Sequence, residues 1–96
     1  MRQRAERVFQ INDEIASLHR DEYLAFEELI MLGHLDEDAQ RDAATSGSPL
    51  DAAEARETAG DVARMQRHVA DLRAARERLE HKRDHMLEDL SLSGAE

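Results

Sequence analysis

The 96 residues carry 22 Asp and Glu against 13 Lys and Arg, a net charge of −9, with 3% aromatics, one proline and no cysteine. That length allows one domain at most. The missing cysteine excludes disulfides, thiolate metal sites and thiol catalysis, and the acidic balance excludes broad contact with nucleic-acid phosphates.

The first stretch, "MRQRAERVFQ", lacks an apolar h-region, so no signal peptide is expected. From about residue 2 to residue 32, Val8, Ile11, Ile15, Leu18, Glu22, Ala25, Leu29 and Leu32 alternate at spacings of three and four. This is the seam of a helix that packs along its length, with one acidic interruption at Glu22. A second stripe runs beside it through Phe9, Asn12, Ala16, His19, Tyr23, Phe26 and Ile30. Leu24 and Met31 add apolar surface on yet another side. His19, next to Tyr23 on the second stripe, is expected to be packed and hydrogen-bonded rather than catalytic. The longest aliphatic run, "LIML", falls far short of the about 20 residues that a membrane span needs.

Gly33 is placed to end this helix in a left-handed cap, with His34 against its last carbonyls. Asp36 then caps a short helix, 37–44, which "TSGS" terminates. Ala39, Ala43 and Ala44 form a small-residue face for it, matched by Ala52, Ala55, Ala59 and Ala63 downstream. Ser48-Pro49-Leu50-Asp51 opens the next helix. Serine accepts from an amide that would otherwise be unpaired, and proline lacks the amide that the first helical position cannot use. No proline follows to residue 90, and Val62, Met65, Val69, Leu72, Arg76, Leu79, Arg83, Met86 and Leu90 continue a narrower seam. Gly60 marks a bend or a close helix contact. Glu22 and Arg76 both occupy seam positions and are expected to pair.

The predicted fold is therefore all-α: an antiparallel helical hairpin of long helix (2–32), short connecting helix (37–44) and longer helix (49–90). It forms one domain over 1–92, with a disordered tail at 93–96. One partner helix cannot cover both stripes of the first segment, whereas a homodimer forming a four-helix bundle or coiled coil can. The residues expected to make that self-contact are Phe9, Tyr23, Phe26, Ile30 and Met31.

Charge is laid out in blocks. Residues 1–20 sum to +1, residues 21–61 to −10, residues 62–85 to +3 and residues 86–96 to −3. Folded back on itself, the chain gathers its −10 block at the turn, and Asp36, Glu37, Asp38, Asp42 and Asp51 form an acidic tip. Such a tip suits a protein partner with a basic surface. In shape and charge the arrangement resembles the transcript-cleavage and secondary-channel regulators of bacterial RNA polymerase, which also present an antiparallel helical hairpin with an acidic tip. The resemblance implies that these five carboxylates enter a basic cleft toward a catalytic metal. It extends to shape and charge and not to any sequence motif.

Other chemistry is thin. His81 and His85, four apart, share a helix face with Glu77, a weak candidate metal set, since zinc or di-iron sites converge three or four ligands. Neither Glu-x-x-His nor His-Glu-x-x-His occurs. The serines lack an activating context, no phosphate-cradling glycine loop is present, and Arg73, Arg76 and Arg83 match no motif for binding a dicarboxylate. The sequence thus leads to a non-enzymatic, cytoplasmic, self-associating helical module without cofactors, contacting neither nucleic acid nor membrane. The alternative is an acidic-tip or nucleic-acid-mimicking regulator of a polymerase or nuclease, and the third reading is a metal-binding bundle.

Overall fold

A computed structural model describes the backbone of residues 2–94 and the side chains of residues 3–92. The described residues form two helices and no strand: α1, Arg2–Ser46, and α2, Pro49–Gly94. Among the described residues, no helix is long and apolar enough to cross a membrane.

Neither the break expected at Gly33 nor the separate helix over 37–44 is present. Helix α1 runs through both without interruption. The local argument for a break rests on glycine, which weakens a helix interior by about 1 kcal/mol against alanine. Opposing it, the three-and-four spacing of the seam carries on past Leu32 through Asp36, Ala39 and Ala43, and these are buried or half-buried. Contacts along four further turns outweigh one unfavourable residue. His34 and Asp36 accordingly sit inside α1 and cap nothing.

The helix ends instead at Gly47, whose φ of +62° is the left-handed geometry that glycine adopts without a Cβ penalty. Its amide donates to the Ala43 carbonyl at 3.1 Å, the single bond of an αL cap. Helix α2 starts as the sequence predicts. Ser48 Oγ accepts from the amides of Leu50 (3.2 Å) and Asp51 (3.5 Å), and the Ser48 carbonyl accepts the first helical bond from Ala52 at 3.0 Å. Downstream, α2 takes in residues 93 and 94, which the sequence pattern assigns to a tail. Residues 95 and 96 lie outside the described residues.

The chain divides into two compact units. Among the described residues, unit 1 joins residues 2–22 to 71–94, and unit 2 comprises residues 23–70. In unit 1, α1 buries Val8, Ile11 and Ile15, with Ile11 wholly enclosed. Half-buried Leu72, Leu79, Met86 and Leu90 of α2 share this layer. In unit 2 the buried residues are Ala25, Ala39, Ala55 and Val69, flanked by half-buried Leu29, Leu32, Val62 and Met65. Small side chains on facing helices allow a short interaxial distance, which lets polar side chains bridge the two. Asp36 accepts from the Thr58 hydroxyl at 2.8 Å, and Gln40 donates to the Ala55 carbonyl at 2.9 Å. Going forward along α1, the partners step backward along α2.

Gly60 makes no close helix contact: a Cβ there would meet only the side chain of Arg64, at 3.3 Å.

Candidate functional site

The seams of α1 and α2 consume one face of each helix. What remains for function lies on the other faces, and in unit 2 these are unequal. Helix α1 presents Tyr23, Leu24, Phe26, Ile30, Met31 and Leu35 outward, each between 48% and 64% exposed. A surface helix ordinarily turns a polar face to water; this one is apolar on its core face and on both flanks. Two flanks are distinguishable. Tyr23, Phe26 and Ile30 lie on one, at the seven-residue repeat of the second stripe. Leu24 and Met31, also seven apart, lie on the other. In unit 1, Phe9 is 69% exposed. The residues expected to mediate self-association are thus all exposed. Met31 departs from the others by facing the second flank.

The Tyr23 hydroxyl donates to Glu27 one turn on, and the carboxylate holds the phenol above its ordinary pKa. Leu24, Glu27, Glu28, Ile30, Met31 and His34 border a shallow depression on α1. Beside it, Glu28, Leu32, Asp61, Arg64, Met65 and His68 line a groove between α1 and α2. Glu28 belongs to both. Asp61 is tied to Arg64 by an ion pair along α2.

The acidic end of unit 2 does not act as one cluster. Asp36 is half-buried and holds the helices together, accepting from Gln40 at 3.0 Å as well as from Thr58. Asp51 accepts from the Ser46 hydroxyl at 2.5 Å, and Ser46 Oγ in turn accepts from the Ser48 amide at 3.1 Å, so Asp51 braces the turn. The other three acids project. Glu37 lies 3.9 Å from His34, Asp38 pairs with Arg41 at 3.3 Å, and Asp42 is exposed. Among the described residues no group of three or more His, Asp or Glu converges as metal ligands do.

The histidine candidates are likewise peripheral. His81 and His85 stand edge to face with ring centroids 5.7 Å apart, and both are exposed, as is Glu77. His19 is exposed as well, against the expectation of a packed histidine. Its stripe lies one position past the seam, beyond what α2 covers.

In unit 1 the seam carries an ionic cluster. Arg76 donates from Nε to Glu22 Oε2 at 2.6 Å and from Nη2 to Oε1 at 3.1 Å. Arg76 Nη1 also donates to Glu80 at 2.5 Å. Arg73 Nε reaches Glu22 Oε1 at 3.4 Å. Arg76 holds the Glu22 carboxyl below the usual glutamate range, with Arg73 assisting against the opposing effect of burial. The paired carboxylates in turn raise the Arg76 pKa. Arg83, the other arginine on the α2 seam, approaches Asn12 at 3.5 Å. The sequence pattern anticipates the Glu22–Arg76 pair but not Asp36–Thr58 or Gln40–Ala55. A signal for them exists: extending both heptads through the turn puts Asp36 and Thr58 on facing seams.

Comparison with protein-family models, with curated proteins and with solved structures finds no match to this chain.

Proposed function

We propose that this chain is a non-enzymatic helical-hairpin interaction module. It self-associates through the Phe9, Tyr23, Phe26 and Ile30 flank of α1 and presents its acidic turn to a protein partner with a basic surface. A cytoplasmic setting belongs to the same proposal.

The observation that carries it is the outward apolar face of α1 in unit 2. Exposed apolar clusters of this kind mark interaction surfaces, whereas scattered single residues do not. Burying a Leu, Ile, Phe or Met side chain is worth about 1.5–3 kcal/mol, so covering this flank with a second copy provides a strong drive to assemble. Two hairpins joined in this way form a four-helix bundle with their α1 helices inside.

Sedimentation equilibrium of the full chain at micromolar concentration tests the proposal. A dimer is expected, and a Tyr23→Ser/Phe26→Ser variant is expected to sediment as a helical monomer. A wild-type monomer overturns the self-association.

The projection of Glu37, Asp38 and Asp42 favours a second reading of the same end: insertion into a basic cleft of a polymerase or nuclease. Its test replaces those three acids by their amides and leaves Asp36 and Asp51, which hold the turn, untouched. Undiminished inhibition or binding of a candidate enzyme by the triple variant overturns that reading.

A further inference from the structure

We infer that the groove between α1 and α2 in unit 2, together with the Leu24 and Met31 flank of α1 beside it, docks a cationic amphipathic helix from a protein partner. This deepens the partner half of the proposed function and rests on it; the wall adjoins the self-association flank at Ile30, which borders the same depression.

Three features determine the occupant. The first is shape. Leu32 and Met65 line the groove along with charged Glu28, Asp61, Arg64 and His68. Exposed Leu24, Met31 and Leu35 lie on α1 alone. Leu24 to Leu35 covers three turns, about 17 Å at 1.5 Å per residue. A third helix seated against that wall buries one apolar stripe and keeps its other face in water.

The second is charge. The α1 part of unit 2, residues 23–46, holds six acids and one base, Arg41, for a net −5. Glu27 and Glu28 border the apolar wall itself. Asp61 is already matched by Arg64, so the unbalanced charge lies on the α1 side. An occupant with Lys or Arg flanking its apolar stripe neutralises it; an acidic one is repelled.

The third is the unsuitability of a second copy. The apolar seam of α2 is already used against α1. With the Tyr23, Phe26 and Ile30 flank assigned to self-association, the apolar surface that α1 leaves over in unit 2 is this wall itself. A second copy docking wall to wall would bring Glu28 against Glu28, so a complementary cationic surface comes from a different protein.

The experiment titrates full-length protein into a fluorescein-labelled Leu/Lys peptide of about 18 residues, some five helical turns, with its leucines on one stripe. Fluorescence anisotropy reads the binding. A peptide of identical composition with scrambled leucines, and a Leu/Glu peptide with the stripe retained, are the controls. We expect binding of the striped cationic peptide alone, weakening as salt is raised. Leu24→Ser/Met31→Ser and Glu27→Gln/Glu28→Gln should each weaken it by about tenfold or more, a step of about 1.4 kcal/mol. Asp13→Asn/Glu14→Gln, the same charge change in unit 1, should leave it within about twofold.

Equal binding of the scrambled peptide overturns the inference, as does an equal loss in the unit 1 variant, because either outcome reduces the effect to net charge. If Leu24→Ser/Met31→Ser dissociates a wild-type dimer in sedimentation, a second copy covers this flank and the inference also fails. Failure of the self-association proposal is separate: the Tyr23→Ser/Phe26→Ser variant keeps the docking wall and should bind the peptide whether or not the wild type dimerises.

Discussion

Arg76 grips both carboxylate oxygens of Glu22 from 54 positions away, at 2.6 and 3.1 Å, inside a mostly apolar seam. Two planar groups meeting edge to edge fix distance and angle together, which a pair of aliphatic side chains does not. The pair ties α1 to α2 at a single register in unit 1. A shift of one residue along either helix leaves a half-buried charge without its partner, and such an orphan is costly.

The pair makes stability depend on pH in a definite direction. Glu22 has a folded-state pKa below its unfolded value. Its contribution is therefore fully present above the usual glutamate range, near pH 4.3, and is lost as the pH falls through the lowered folded value. Glu22→Gln should lower the melting temperature at pH 7, and its difference from wild type should shrink as the pH drops below about 4. Thermal melts of both proteins at each pH check this. A difference independent of pH would show that the charge on Glu22 is not what holds the register.

Glycine substitutions should separate the two candidate ends of α1. Gly33 lies in the helix interior, where an added Cβ would meet nothing within 4 Å, so Gly33→Ala should stabilise by about 1 kcal/mol. Gly47 sits at φ +62°, where an L side chain is strained, so Gly47→Ala should destabilise by about 1 kcal/mol. Urea denaturation of the two variants reads both signs. A destabilising Gly33→Ala would place the helix end at Gly33 after all.

At the start of α2, Ser48→Ala removes the acceptor for the Leu50 and Asp51 amides and should cost about 1 kcal/mol. The acids nearby should divide by role. Asp36→Ala removes the carboxylate that accepts from the Thr58 hydroxyl and the Gln40 amide, leaving them the Ala55 carbonyl alone, and should lower the melting temperature, while Asp38→Ala, on an exposed ion pair, should change it little. Equal effects from the two would remove the distinction between bracing and projecting carboxylates.

Core and face should also separate cleanly. Ile11 is fully enclosed, so Ile11→Ala should cost about 2–5 kcal/mol in denaturant melts. Phe9, two positions earlier and 69% exposed, should cost little when replaced by alanine at concentrations where the chain is monomeric, and should instead raise the dissociation constant of the proposed dimer. Loss of folding in Phe9→Ala under monomeric conditions would assign this side chain to the core.

The alternating spacing of apolar residues determined the helical class, and with it which residues bury: Val8, Ile11, Ile15, Ala25 and Val69 all lie on the seams that the spacing traces. The Ser48-Pro49 start of α2 was equally legible, because a cap is chemistry between neighbours in the chain. So was the meeting of Glu22 with Arg76, since both interrupt apolar seams and a half-buried charge needs a partner. Where α1 ends was decided by tertiary contact. Gly33 and Gly47 have the same intrinsic preference, and only the layer of Asp36, Ala39 and Ala43 against α2 makes the first a helix interior and the second a cap. Packing likewise divided the acids, drawing Asp36 to Thr58 and leaving Glu37, Asp38 and Asp42 in water. It also left His19 and the flanks of α1 uncovered, because one facing helix is too narrow to shield more than a single seam.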